Sequence, residues 1–217
     1  YPLVKYRNRD GWTHRDLLRL AHPKIPQVLD EGVLVDRDPE GPKRRALFDF
    51  ACGRDEYADV RPNMIEGFLK AQSADSAAAV APLIREYRLP WEALKPEHLT
   101  SPAVWMALLD GGMPQTALLR NLPRLTTLGL IDRSGTHTAE VIKQLSTGMS
   151  RAKVHPINVL IAMRTYASGR SLRGDGSWTP NPKITDALDA GFYEAFGGVE
   201  PAGKRTSRLD RPRRTAY

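Results

Sequence analysis

YPLVKYRNRDGWTHRDLLRLAHPK, residues Tyr1 to Lys24, holds the pattern from which the fold is read. Lys5, Arg7, Arg9, Arg15, Arg19 and Lys24 crowd one short span, with Asp10 and Asp16 its only acids and Tyr6, Trp12, His14 and His22 between them. Asp10-Gly11-Trp12-Thr13 reads as a turn leading into a helix. Thr13 can cap the free amides of that helix, and Asp16 favours the same end through the dipole. Leu17, Leu18 and Leu20 are expected to pack inward. The stretch is thus expected to be helix, corner, helix, with guanidinium groups on the faces turned away from the core. Such a corner suits a phosphate backbone, because forked donors converge on it while aromatic rings offer stacking planes. A solvated basic face is the competing reading, in which Tyr6 and Trp12 are corner residues and His22, before Pro23, bonds a helix-end carbonyl.

The same grammar of caps and stops recurs along the chain. Residues 25–42 read as a proline-broken, acidic surface loop. Lys43–Cys52 reads as a helix with Leu47, Phe48 and Phe50 as apolar contacts. Pro62 begins the next, with Ile65, Phe68 and Leu69 spaced for one buried face. Asp75 or Ser76 caps another, striped by Val80, Leu83, Ile84 and Tyr87. Ser101-Pro102 starts a helix by a capping hydroxyl and a proline at the first position, and Gly111-Gly112 ends it. Met113–Leu130 is expected to hold two short helices broken near Pro123. Thr136 to Gly148 is a further helix, and His155-Pro156 repeats the start signal for one running to Gly169. Ile184, Leu188, Phe192 and Phe196 mark the last, stopped at Gly197-Gly198. Trp105 and Trp178 are expected as core anchors. No period-two run argues for a strand, so the fold class is all-α, and the number of helices favours stacked helical pairs.

Charge is concentrated at the ends. The net charge is +7, yet residues 1–24 carry +4, residues 203–217 carry +5, and the body between them carries −2. A polyanion would be met at the ends and not over the whole surface. Residues 1–202 therefore form the expected helical domain. Residues 203–217 form a basic tail, either a nonspecific RNA-binding element or a disordered, solubilising end. No run approaches the roughly 20 apolar residues of a membrane span, so no membrane is expected as a partner. The single cysteine, Cys52, excludes an internal disulfide framework and points to a reducing, cytoplasmic setting.

Catalytic constellations fail inspection. His14 and His22 have no cysteine or carboxylate at metal-ligand spacing. The glycines around Arg170 lack the Lys-Ser/Thr of a phosphate loop. No enzyme activity, cofactor or metal is expected.

Four segments, in order, resemble the Ro autoantigen family and its TROVE module. They are KYRNRDGWTHRDLLRLAHPK (Lys5–Lys24), PQTALLRNL (Pro114–Leu122), HPINVLIAMRTYASGRSLRG (His155–Gly174) and DALDAGFYEAFGGVEPAGKR (Asp186–Arg205). The resemblance implies HEAT-like helical pairs forming an arc or part of a ring. It also implies an RNA-binding protein of RNA quality control, a ribonucleoprotein component. The implied partners are small non-coding Y-like RNA and misfolded structured RNA whose single-stranded 3′ end enters the ring. An exoribonuclease such as polynucleotide phosphorylase is a further implied partner, and a homo-oligomer is one way to complete the ring. Lys5, Arg9 and His22 occupy the positions matching the family's RNA-contacting residues. Lys5 and Arg9 would contact phosphates, and His22 would donate to backbone or base, with Arg7, Arg15, Arg19 and Lys24 around them.

The first residue is Tyr rather than Met and falls within a helical pattern, so the chain looks cut from something longer. The resemblance, in which the family's ring begins before the position of Tyr1, implies that the first repeats are missing. No Asp-x-Ser-x-Ser motif follows Arg205, so neither the family's von Willebrand A domain nor its metal is expected. Arg120, Asn121 and His155 either line the inner face or cap helices. From a different class, the alternative is a helical-repeat scaffold for a protein partner that has lost RNA binding.

Overall fold

The computed structural model describes residues 1–23, 41–132, 136–171 and 174–200, the side chains of Arg9 and Thr136 aside. Lys24, most of the expected 25–42 loop and the whole of the basic tail lie outside the described residues. The chain divides into two compact units, Tyr1–Met113 with Leu128–Leu130, and Pro114–Thr127 with Ile131 onward.

In the first unit a short helix, α1 (Pro2–Lys5), leads into a two-residue ribbon, β1 (Asn8–Arg9) and β2 (Trp12–Thr13), with Asn8 opposite Thr13 and Arg9 opposite Trp12. The expected corner is therefore a minimal hairpin. Its two turn residues, Asp10 and Gly11, have φ of 53° and 84°. That left-handed pair is the geometry an Asp-Gly turn supplies. Helix α2 (His14–Ala21) follows directly. Then come α3 (Gly41–Ala51), α4 (Asn63–Ser73), α5 (Ala77–Tyr87) and α6 (Pro102–Asp110), with 3-10 turns at Ala58–Val60, Trp91–Ala93 and Pro96–Thr100.

Helix α5 packs on α4 and on α6, and the buried set Ile65, Phe68, Val80, Ile84, Val104, Trp105 and Leu108 forms the core between them. Close approach of α4 and α5 needs Gly67, where an added methyl group would run into the Tyr87 side chain. Ser76 caps α5 by accepting from the Ala79 amide at 3.3 Å. Ser101 is extended before α6 as expected, but its hydroxyl makes no capping bond. Pro102 at the first position carries that start alone, since its missing N–H would have been an orphan anyway. Trp105 is fully buried, and its indole N–H donates to the Leu99 carbonyl at 2.7 Å.

The second unit holds α7 (Gln115–Thr127), α8 (Thr136–Thr147), α9 (Pro156–Ala167) and α10 (Pro182–Ala195). Helix α10 packs on α8 and α9, and α7 packs on α9. The expected break at Pro123 does not occur, because α7 runs through it. Leu118, Leu119, Leu122 and Leu125 are buried on both sides of the proline, and that burial outweighs the one lost backbone bond. Tyr166 ties three elements together. Its hydroxyl is 2.9 Å from Thr126 of α7 and accepts from the Asn181 amide at the start of α10, and its carbonyl accepts from Trp178 Nε1 at 2.9 Å. Trp178 also stacks on the Tyr166 ring. Among the described residues the two-residue ribbon and an isolated bridge at Arg170 and Ser177 are the extended pairings, and the fold is all-α.

Candidate nucleic-acid interface

The basic stretch is built by local bonds. Thr13 Oγ1 accepts from the Asp16 amide at 3.3 Å, and Asp16 Oδ2 accepts from the Thr13 amide at 3.0 Å. This reciprocal capping box fixes the first turn of α2. The Thr13 hydroxyl also donates to that carboxylate at 2.6 Å. This bond first, and the backbone bond second, hold the Asp16 carboxyl below its usual pKa. His14 Nε2, 3.2 Å from the Pro2 carbonyl, fastens α2 back to α1. At the other end His22 has the left-handed φ and ψ of 39° and 50°, and its amide donates to the Leu18 carbonyl.

Leu17, Leu18 and Leu20 do not all pack inward. Leu17 is 60% exposed and Leu20 67% exposed, while Leu18 alone is half-buried. At about 100° of turn per residue, Leu18 and Leu20 point to nearly opposite sides of the helix, so one inward face cannot take both. One side of the helix carries Arg15, Leu18, Arg19 and His22, the i, i+3, i+4, i+7 set of a single face, with only Leu18 half-buried.

That face meets α3 across a cleft of about 350 Å³. Arg15, Leu18, Arg19, His22 and Pro23 line it from α2 and its end, and Phe48, Cys52 and Arg54 from α3 and the residues after it. The arginines and His22 are exposed, whereas Leu18, Phe48 and Cys52 are half-buried. Among the described residues that line it there is no carboxylate. The cleft therefore has a cationic rim over an apolar base.

Arg54 lies outside the basic stretch and joins the cleft from the residues after α3. Gly53, with φ of 74°, turns the chain out of α3, and the Arg54 amide donates to the Asp49 carbonyl at 2.9 Å. A glycine stop followed by a cation was the available signal. Nothing local, however, tells that the end of α3 and the residues after it line a cleft with α2.

Of the expected site residues, Arg15, Arg19 and His22 are brought together in this cleft. Lys5 and Arg7 are engaged elsewhere. The Lys5 ammonium donates to the Tyr1 hydroxyl at 3.1 Å, lies 3.5 Å from the Glu92 carboxylate, and sits 5.2 and 5.3 Å from the Tyr1 and Tyr6 ring centroids. The Lys5 and Glu92 side chains are only 14% and 18% exposed. Burial works against the Lys5 charge, but the Tyr1 hydroxyl and then Glu92 outweigh it, and its pKa is raised. The Arg7 guanidinium lies over the Phe68 ring at 5.2 Å from its centroid. Arg9 falls in β1, where the backbone alone is described.

In the second unit His155 caps α9, its Nδ1 accepting from the Ile157 amide at 3.2 Å, and Asn121 is buried and donates to the Ala117 carbonyl. Both residues thus serve helices. Arg120 is exposed on a groove of about 280 Å³ between α7 and α9, which Thr116, Asn158, Ile161 and Thr165 also line.

The chain is thus an all-α protein with a cleft that is lined, among the described residues, by three arginines and no carboxylate. The TROVE domain model matches residues 86–165. The chain is 35% identical over 241 residues to RNA-binding protein RO60 of Caenorhabditis elegans, and 38% identical over 206 residues to RNA-binding protein RO60 of Deinococcus radiodurans. These alignments cover 94% and 93% of this chain and 36% of each relative. The crystal structure of the Deinococcus radiodurans RO (RSR) protein superposes with a TM-score of 0.66 at 35% identity, over 92% of this chain and 38% of that one. The chain is thus a Ro-like protein of the TROVE family, spanning about a third of the length of the curated relatives it matches.

Proposed function

We propose that this chain binds RNA, and that the α2–α3 face is where it does so. The observation that carries the reading is a coincidence. Likeness to proteins named RNA-binding protein RO60 runs over nearly the whole chain, and the cleft, with three exposed arginines and no carboxylate among its described lining residues, falls within it. Arg15, Arg19 and Arg54 hold phosphates, His22 donates from the helix end, and Lys5, once released from Glu92, is a further RNA contact, as are Arg9 and Lys24. The RNA is a structured one, a Y-like non-coding RNA or a misfolded RNA with a free 3′ end. The role is non-catalytic and lies in RNA quality control in the cytoplasm. An exoribonuclease and further copies of the chain are the partners this role would bring.

The test is fluorescence anisotropy with a labelled stem-loop RNA carrying a single-stranded 3′ tail, against the tailless stem-loop. Binding that prefers the tailed RNA and drops about tenfold or more when Arg15 and Arg19 are both changed to Gln, with helicity unchanged, supports the reading. Equal, weak binding of both RNAs by both proteins contradicts it.

A protein-binding scaffold is the second reading, and the exposed Leu17–Leu20 side of α2 favours it. It predicts capture of a partner that survives RNase treatment and is insensitive to salt.

A further inference from the structure

The α2–α3 cleft is more than a basic surface. A phosphate backbone lying on a helix needs charge but no concavity, and a bare anion has no use for an apolar base. Here the exposed Arg15, Arg19 and Arg54 and the half-buried Phe48 and Leu18 line one concave space. The volume of about 350 Å³ falls in the range of small-ligand sites, roughly 300–1,000 Å³, and suits one nucleotide better than a helix. A nucleotide is the ligand that carries both halves of this chemistry. Its phosphate pairs with forked guanidinium donors, and its base is a flat ring that stacks on an aromatic face or a guanidinium plane.

We infer that the cleft is a one-nucleotide pocket, which takes the phosphate of a single unstacked nucleotide between Arg15, Arg19 and Arg54 and its base over Phe48. This rests on the RNA-binding reading and deepens it, since it makes the unit recognised at this place a nucleotide lifted out of the stack. It also gives roles to Arg54 and Phe48, which the α2 stretch does not contain.

The test uses uridine 5′-monophosphate, ribose 5-phosphate and uridine as probes, followed by amide chemical-shift perturbation in the whole chain. The monophosphate should perturb the amides of residues 15–22 and 48–54 and bind about fivefold or more tightly than ribose 5-phosphate, with uridine weaker than either. Arg54→Gln should weaken both phosphates about tenfold. Phe48→Leu, which keeps an apolar side chain in the base of the cleft, should abolish the preference for the nucleotide and leave ribose 5-phosphate binding unchanged.

Equal binding of the monophosphate and ribose 5-phosphate to the wild-type chain overturns the proposal, as does perturbation confined to residues away from the cleft. The stem-loop RNA is titrated in parallel. RNA binding unaffected by Arg54→Gln, together with a silent monophosphate, sinks the pocket and leaves the RNA reading intact. A monophosphate-selective cleft in a chain that ignores the stem-loop sinks the RNA reading and leaves the pocket.

Discussion

At the scale of single residues, Lys5 shows how a cation can be present in sequence yet already occupied in the fold. Its charge is shared among Glu92, the Tyr1 hydroxyl and two aromatic rings, with both charged side chains mostly out of solvent. A phosphate must compete with that cage. Glu92→Gln removes the competing charge, and we expect RNA affinity to rise about two- to fivefold and the salt dependence to steepen by about one counterion. An unchanged salt slope, measured by anisotropy, would make Lys5 a fastener of α1 and not an RNA contact.

The Thr13–Asp16 pair gives a pH prediction. The Asp16 carboxyl titrates lower in the folded chain than in the unfolded one. Its stabilisation is therefore present above the unfolded carboxylate pKa and is lost as pH falls through the folded value. Protection of the α2 amides from exchange should hold at pH 5 and fall below about pH 4. Asp16→Asn should flatten that response, whereas a cap unrelated to Asp16 would leave it in place. The turn and the cap were legible in the sequence because Asp-Gly and Thr-x-x-Asp are local chemistry. The leucines were misread because adjacency in sequence was taken for a shared face.

At the scale of elements, most helix starts and stops were readable, since glycine, proline and capping side chains act within a few residues. Pro123 was not readable. Its local cost was visible, but the buried leucines that carry α7 across it belong to tertiary packing. The 3-10 turns around Trp91 and His98 were likewise hidden, lacking any periodic signal.

Packing between elements makes a sharper prediction at Gly191 of α10. A methyl group there would collide with the Leu145 carbonyl of α8. Gly191→Ala should therefore destabilise the second unit by about 1–3 kcal/mol despite the better helix propensity of alanine. Chemical denaturation gives the value, and a gain in stability would mean that α8 and α10 are not in contact at that point.

At the scale of the whole molecule, family and fold class were legible because four spaced segments carried them together, and likeness to RO60 relatives over 94% of the chain bears this out. The cleft was legible only by half. Arg15, Arg19 and His22 share a helix face that spacing alone reveals, but Phe48, Cys52 and Arg54 come to line the same cleft only through the tertiary fold. The charge distribution agrees with a localised site, since the body of the chain is near neutral.

The central claim is that RNA is held at this cleft by fixed cations. It is tested most directly by measuring stem-loop affinity across a salt series for the wild-type chain and for Arg15→Gln/Arg19→Gln/Arg54→Gln. The wild-type slope should be several counterions and should fall by about two to three in the variant, at unchanged helicity. The same slope and the same affinity in both proteins would contradict it.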